Sequence, residues 1–241
     1  MRRHGFTLIE MVLTLIVGSI LVLGIAGFVD LGARGYSDTI DRQRVQTQAK
    51  FVLEKMNREI RHAVPNMFSN DLVFLGATDC ISFFPIVTSG FYAVSGADLQ
   101  FVVGSEGVTT TDIDSLRLVV NPTQSQPTNN VFPLNSVSSA NDVFTLTGVA
   151  NDLVSQSVSN RHYIYDPSGE VSYCLINQRV QRLVNRVNVV PISDGGVRGS
   201  LNYMPATVQH NGVVHINLNF TNQEGDESTN YRQDIQVLNV P

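Results

Sequence analysis

Charged residues are scarce in this chain, and lysine is almost missing. Asp, Glu, Lys and Arg make up 15% of the 241 residues, against about 25% in an ordinary soluble domain. Lys50 and Lys55 are the only lysines, whereas Asn, Ser, Thr, Gln and Val are plentiful. This composition is typical of an exported, β-rich protein. A hydrophobic share of 43% argues against global disorder.

The charges that are present are unevenly distributed along the chain. Residues 1–65 carry nine Lys or Arg against six Asp or Glu, a net charge of +3. Residues 66–241 carry seven against fifteen, a net charge of −8. Binding to nucleic acid depends on neutralising phosphates with basic residues. The acidic C-terminal part therefore argues against a nucleic-acid partner.

Sequence signatures of catalysis and of cofactor binding are missing. The chain has no glycine-rich phosphate loop, no G-x-S-x-G and no H-E-x-x-H. We therefore expect neither an enzyme activity nor a cofactor. The histidines show no spacing typical of metal ligands; they are His4, His62, His162, His210 and His215. We expect His215, in an alternating segment, to be a surface or packing residue.

Two acidic side chains, Asp112 and Asp114, flank Ile113 and have the oxygen chemistry that calcium prefers. Calcium sites usually need about six or more oxygen ligands. A solvated turn is therefore the favoured interpretation, with a calcium site as the alternative.

Cysteine is limited to Cys80 and Cys174. Two buried thiols in a cytosolic protein are one interpretation. An exported chain with two cysteines more often forms one disulfide. Because the sequence also contains a membrane segment, described next, we expect the disulfide.

One long apolar segment follows a short basic head, Met1-Arg2-Arg3-His4. Residues 11–29 carry no charge, which is enough to cross a hydrocarbon core of about 30 Å as a helix. Since positive residues stay on the cytoplasmic side, we expect the N-terminus inside and the C-terminal part outside. A signal peptide cleaved near Gly24-Ile25-Ala26 is the alternative. It fits less well, because the run is longer than usual and Glu10 lies at its start.

Glu10 is the most informative residue of this segment. A lone carboxylate at membrane depth costs on the order of 2.5–3.5 kcal/mol or more, so a chain that keeps one usually has a partner for it.

The stretch Gly5-Phe6-Thr7-Leu8-Ile9-Glu10 resembles the processing site of type IV pilin precursors and of type II secretion pseudopilins. The resemblance implies that prepilin peptidase cleaves between Gly5 and Phe6 and that Phe6 becomes N-methylated. It also implies that Glu10 pairs with the free N-terminal amine of a neighbouring subunit. Residues 1–5 are then a cleaved leader peptide, and residues 6–31 a transmembrane and assembly helix.

Residues 32–64 are expected to continue this helix as its amphipathic half. Apolar residues recur there at intervals of three and four; they are Val45, Ala49, Val52, Met56, Ile60 and Ala63. Pro65 is expected to stop the helix, which then runs from Phe6 to about Ala63. Its apolar stripe can cover a sheet.

Residues 65–241 are expected to form a periplasmic, β-rich globular domain. Alternation predicts strands at 79–84, 99–103, 115–120, 142–146, 162–165, 171–176, 213–220 and 231–240. Residues 121–141 are predicted to be a long loop, and residues 178–188 fit a helix turn nearly as well as a strand. The expected fold class is α+β and pilin-like, with one long N-terminal helix packed on an antiparallel sheet.

Two further stretches resemble the larger minor pilins: Arg58-Glu59-Ile60-Arg61, and the turn and strand from Asp166 to Cys174. The likeness is to J-type pseudopilins, to W-type minor pilins and to the MshO-type minor pilins of mannose-sensitive haemagglutinin (MSHA) pili. It implies a subunit of the bacterial inner membrane that later enters a pilus or pseudopilus. The implied partners are prepilin peptidase, other minor and major pilins, and an inner-membrane assembly platform protein.

Other functions stay open at this point. Arg179, Arg182 and Arg186 form a spaced basic trio; salt bridges to nearby carboxylates are the favoured interpretation, and a docking point for an acidic neighbour is the alternative. An adhesin or ligand-binding module carried by the pilus is the main alternative function. A membrane-anchored periplasmic enzyme is the third possibility, and the absence of a nucleophile and base argues against it.

Overall fold

The computed structural model describes residues 5–71, 76–207, 210–222, 224–225 and 227–237. The chain forms two compact units, which divide between Gln46 and Thr47. This boundary falls inside one helix, α1 (Leu8–Arg61). Residues 8–46 of α1 belong to the N-terminal unit, and residues 47–61 belong to the C-terminal unit.

Helix α1 begins at Leu8, two residues later than the expected start at Phe6. Thr7 precedes it and caps it: the Glu10 amide lies 3.4 Å from the Thr7 hydroxyl oxygen, and the Met11 amide donates to the Thr7 carbonyl at 3.2 Å. A Thr followed three residues later by Glu is the sequence pattern of a capping box. The same residues that resemble a processing motif therefore also start the helix.

Polar side chains inside the apolar part of α1 bond to the helix itself. The Thr14 hydroxyl donates to the Met11 carbonyl at 2.9 Å, and the Ser19 hydroxyl donates to the Ile16 carbonyl at 2.8 Å. A hydroxyl satisfied in this way can lie in an apolar environment without an unmatched donor.

In the C-terminal unit, α1 buries the predicted stripe. Ala49, Val52, Met56 and Ile60 are completely buried. The helix ends at Arg61, earlier than the expected end near Ala63, because the chain turns at His62, whose carbonyl accepts the Ile86 amide at 2.8 Å. Ala63 is buried as the first residue of a strand, and Pro65 lies within that strand.

The described strands are β1 (Ala63–Ser69), β2 (Ala77–Pro85), β3 (Thr88–Ser95), β4 (Asp98–Val103), β5 (Arg117–Val119), β6 (Val131–Pro133), β7 (Ser138–Ala140), β8 (Val143–Leu146), β9 (Arg161–Tyr165), β10 (Val171–Ile176), β11 (Arg179–Val184), β12 (Asn188–Pro191), β13 (Val197–Met204), β14 (Val213–Thr221) and β15 (Ser228–Gln236). A short helix, α2 (Thr110–Ile113), and a 3-10 turn (Ala150–Asp152) lie between them. All described strand pairs are antiparallel, as expected.

The strands form three sheets. One has five strands in the order β1-β2-β10-β11-β12, and every residue of its central strand β10 is buried. A second has seven strands in the order β6-β5-β9-β3-β4-β8-β7. Its core includes Leu99, Phe101, Leu118, Phe144 and Ile164. The third is the meander β13-β14-β15, in which β14 alternates between buried and half-buried residues.

The structure confirms the α+β architecture and corrects several details of it. The predicted loop at 121–141 contains β6 and β7. The ambiguous stretch 178–188 is strand β11 followed by a turn. Strands β1, β3, β12 and β13 were not predicted. The expected partner of β14 is present as β15, which begins at Ser228; residues 238–240 of the expected strand lie outside the described residues.

Candidate processing and assembly site

Gly5 and Phe6 lie before the first turn of α1, in chain without regular secondary structure. Both residues are exposed, and Phe6 exposes 83% of its surface. A peptidase needs an accessible peptide bond that is not held in a helix. The Gly5–Phe6 bond has both properties, because the Thr7 cap places the start of the helix just after it. Arg2 and Arg3 of the basic head lie outside the described residues.

Glu10 lies in the first turn of α1 and is exposed. Among the described residues, none forms an ion pair with its carboxylate. A carboxylate in the first helical turn is favoured by the helix dipole. This local effect does not replace a counterion once the segment leaves water.

The apolar part of α1 around Glu10 has no cover within the chain. The helix is long and apolar enough to cross a membrane, and none of its most apolar stretch is buried. From Gly5 to Arg44, every residue other than Gly18 and Asp41 is exposed. A helix that is apolar on all sides requires lipid or other proteins around it.

Cys80 and Cys174 form a disulfide across the middle of the five-stranded sheet. They are direct partners on β2 and β10, with an S–S distance of 2.03 Å, and both are completely buried. Ile176 and Leu183 pack around them. The bond therefore joins the strand that follows β1 to a strand 94 residues further along the chain.

Two members of the basic trio form ion pairs. The Arg182 Nε lies 2.8 Å from the Glu59 carboxylate of α1, which also accepts Lys55 Nζ at 2.9 Å. Burial alone would raise the pKa of Glu59, but the hydrogen bonds from Arg182 and Lys55 outweigh it and lower that pKa. This pair fixes the last turns of the helix on β11.

Arg186 forms the second ion pair, with Glu170. Its Nε and Nη2 lie 2.8 and 3.3 Å from the two carboxylate oxygens. Glu170 is buried, and its part in the structure was not foreseen from the sequence. Salt bridging, the favoured interpretation, is therefore correct for Arg182 and Arg186. Arg179 is exposed.

The other residues singled out in the sequence have structural roles or stay at the surface. The Asp112 carboxylate accepts hydrogen bonds from the Thr109 amide and hydroxyl at 2.9 and 2.6 Å, which caps α2 and lowers the pKa of Asp112. His215 is partly exposed and lies 2.7 Å from Asp234 on the next strand. Within the described residues, no group of three or more His, Cys, Asp or Glu side chains has the arrangement of a metal site.

Sequence reasoning missed one chemically unusual residue, His162. It is completely buried, and neither ring nitrogen has a hydrogen-bond partner among the described residues. Burial lowers its pKa to about 4. Its position in the predicted strand 162–165 was the available signal, since Ile164, two residues on, lies on the same face of the strand and is buried.

Comparison with protein families gives a match for one part of the chain. Residues 1–26 match the family model described as the prokaryotic N-terminal methylation motif. The protein is thus type IV pilin-like, with the long apolar helix and antiparallel β-domain of that class. No curated protein and no solved structure matches the chain.

Proposed function

We propose that this protein is a minor pilin or pseudopilin. It takes part in the initiation or assembly of a type IV pilus, such as an MSHA-like pilus, or of a type II secretion pseudopilus. Prepilin peptidase cleaves between Gly5 and Phe6, and the new N-terminal Phe6 is N-methylated. Before assembly the subunit spans the inner membrane once, with its leader in the cytoplasm and its C-terminal unit in the periplasm.

The observation that carries the proposal is the exposed apolar helix with Glu10 in its first turn. Exposure of its apolar surface to water is unfavourable. Exposure of the Glu10 carboxylate to lipid is also unfavourable. A bundle of equivalent helices accepts the apolar surface. A neighbouring subunit also brings a cation of its own, because cleavage leaves a charged amine on Phe6.

The energetics explain why this carboxylate matters for assembly. Moving an apolar helix from lipid into a protein bundle changes its apolar burial little, so hydrophobicity alone provides little net drive. The Phe6 amine lies at the positive end of the helix dipole, which disfavours an isolated cation there. Pairing it with Glu10 of the next subunit neutralises both charges and fixes the axial register between subunits.

Two features of the chain support export. The Cys80–Cys174 bond suits an oxidising compartment. Arg2 and Arg3 precede the apolar segment, and no further Lys or Arg occurs before Arg34, an asymmetry that favours a cytoplasmic N-terminus.

The test is the replacement of Glu10 by Gln in the full chain, with Glu54→Gln as the matched control. Glu54 is an exposed carboxylate further along the same helix. We expect Glu10→Gln to be stable and cleaved normally but to fall at least about tenfold in sheared pili or in the initiating complex, as for loss of one charge-assisted hydrogen bond. Glu54→Gln should assemble normally.

Processing is checked in the same cells by mass spectrometry of the mature N-terminus. We expect a methylated Phe6 in the wild type and in Glu10→Gln, and uncleaved precursor for Gly5→Ser. Wild-type levels of Glu10→Gln in the fibre, or a mature protein that begins elsewhere, would refute the proposal.

A ligand-binding module carried by the pilus is the second candidate function. It is favoured by an open groove with an exposed aromatic ring on the seven-stranded sheet, described below. Deletion of the gene separates the two candidates: loss of pili indicates a role in biogenesis, whereas normal pili that fail to bind a surface indicate an adhesin.

A further inference from the structure

The seven-stranded sheet has one face that is only partly covered. On β9, Ile164 faces the main core, while Tyr163 and Tyr165 face the opposite side. There they are buried against Val64 and Phe84 of the five-stranded sheet. The cover does not reach Phe91 and Val102 on the neighbouring strands, which are exposed.

A groove of about 410 Å³ lies where the cover ends. Three residues lie opposite one another on neighbouring strands: Arg161 on β9, Phe91 on β3 and Val102 on β4. Phe91 is 54% exposed and Val102 is 40% exposed. The other residues that line the groove are Ser89, Gly90, Val103, Gly104 and Tyr163.

The cation of this groove has no carboxylate partner among the described residues. Arg182 and Arg186 of the same unit each form an ion pair, whereas the Arg161 guanidinium lies 5.8 Å from the centre of the Phe91 ring. Burial raises the pKa of Tyr163, and the charge of Arg161 opposes that rise. An exposed aromatic ring and a cation that no described carboxylate pairs with thus border one concave surface, in a part of the chain with a net charge of −8.

We propose that this groove binds an acidic sugar, a uronic acid or a related carboxylated saccharide. The Arg161 guanidinium donates hydrogen bonds to the sugar carboxylate, in the paired geometry that Arg and carboxylate favour. The exposed Phe91 ring takes the apolar face of the sugar, whose polarised C–H groups are attracted to the negative face of an aromatic ring. The Ser89 hydroxyl is available to the ring hydroxyls.

The size of the groove favours a small ligand over a protein. Small-molecule sites enclose roughly 300–1,000 Å³ and combine apolar walls with a few polar groups. Stable protein interfaces need about 800 Å² from each partner, with a packed apolar centre. Around Phe91 the groove offers one exposed aromatic ring, one cation and a small apolar floor, which fits one or two sugar rings.

The test measures binding to the full chain in lipid nanodiscs, with trigalacturonic acid and neutral galactotriose as probes. We expect the acidic trimer to bind at least about tenfold more tightly than the neutral one, as for one charge-assisted hydrogen bond. Arg161→Gln should remove this preference, and Phe91→Ala should weaken binding of both probes. Arg198→Gln and Val190→Ala, exposed changes outside the groove lining, are the matched controls and should bind like the wild type.

Several results would overturn the proposal. These are equal affinity for the two sugars, unchanged binding by Arg161→Gln, no binding of either probe, or tighter binding of an acidic peptide such as tri-aspartate. The binding site does not depend on the proposed role of Glu10. A negative result in the sugar test therefore does not contradict the proposed role in pilus assembly. A negative result in the Glu10 test does not contradict the proposed sugar site.

Discussion

Leu8, Ile9 and Leu23 of the N-terminal unit expose most of their side chains, whereas Leu99, Leu118 and Leu183 of the C-terminal unit are completely buried. The same type of residue is thus left open in one unit and enclosed in the other. Apolar surface of the N-terminal unit must be covered by molecules outside the chain. The C-terminal unit covers its own core with three sheets and the last turns of α1.

Glu10 and Glu59 of α1 show the same contrast. Glu59 accepts hydrogen bonds from Arg182 and Lys55, so its charge is compensated inside the C-terminal unit. Glu10 has no ion-pair partner among the described residues. A carboxylate that is satisfied within the fold stabilises it, while one that is left open is available for an intermolecular contact. This difference predicts that the stability of the C-terminal unit is independent of the chemistry at the N-terminus.

The largest effect on the C-terminal unit is expected from removing its disulfide. The bond joins residues separated by 94 positions, and closing a loop of this length stabilises a fold by roughly 4–5 kcal/mol in the chain-entropy model. The double variant Cys80→Ala, Cys174→Ala should lose about that much free energy of unfolding, measured by urea titration with tyrosine near-UV dichroism. The membrane insertion of α1 should not change.

Treatment of the wild type with a reductant in urea is the control for this experiment, since it opens the same bond without a mutation. A loss below about 1 kcal/mol in both cases would mean that the buried contacts of β2 and β10 hold the sheet without the bond.

Acid should weaken the C-terminal unit through His162. Its pKa is lowered from 6.5 to about 4, because protonation would place a cation in a buried site without a hydrogen-bond partner. The unfolded chain therefore binds this proton more readily than the folded chain. The resulting stabilisation is complete above about pH 6.5, is lost as the pH falls towards 4, and amounts to roughly 3 kcal/mol.

The measurement compares urea unfolding of the wild type and of His162→Phe between pH 7 and pH 4. Because carboxylates titrate in both proteins, the difference between the two curves isolates His162. We expect the wild type to lose roughly 3 kcal/mol more than His162→Phe over this range. Parallel curves for wild type and His162→Phe would contradict the buried neutral state.

Much of the fold could be predicted because local patterns and burial agree. The alternation in β14 and the apolar stripe from Ala49 to Ile60 correspond to faces that are in fact buried. The β-hairpins were harder to predict from the sequence. The turn between β10 and β11 uses Asn177 and Gln178, both at positive φ, without the glycine that usually marks such a turn. Strand β11 was ambiguous for a different reason: the spacing of Val180, Leu183 and Val184 fits a helix turn nearly as well as a strand.

Long-range features could not be read from the sequence. The motif around Gly5 and Glu10 is local, so its residues alone indicated the class of protein. The ion pair between Glu59 and Arg182, 123 residues apart, depends on how α1 packs on β11, and the groove beside Phe91 depends on strand order. Strand order is set by packing between distant segments, and no sequence period encodes it.

Gly90 is expected to have a smaller effect than His162. A Cβ at this position would lie 1.8 Å from the Val102 carbonyl oxygen and 3.1 Å from the His162 ring. Gly90→Ala must therefore move β4 away from β3, at a cost of about 1–3 kcal/mol in the free energy of unfolding. Gly195→Ala is the control, because a Cβ there meets no atom within 4 Å. Similar stability of the two variants in urea would show that the strands adjust without cost.

The smallest effect is expected at the cap of α1, and it should stay within the N-terminal unit. Thr7→Ala removes the hydroxyl that faces the Glu10 amide, which typically costs about 1 kcal/mol of local helix stability. Amide hydrogen exchange of Glu10 and Met11 in nanodiscs should become about fivefold faster, while urea unfolding of the C-terminal unit should not change.

Thr14→Ala is the control, since the Thr14 hydroxyl donates to a carbonyl and caps no amide. Equal exchange in Thr7→Ala and wild type would show that the dipole and Glu10 hold the first turn without the cap. A loss of stability in the C-terminal unit would show that the two units are coupled through α1.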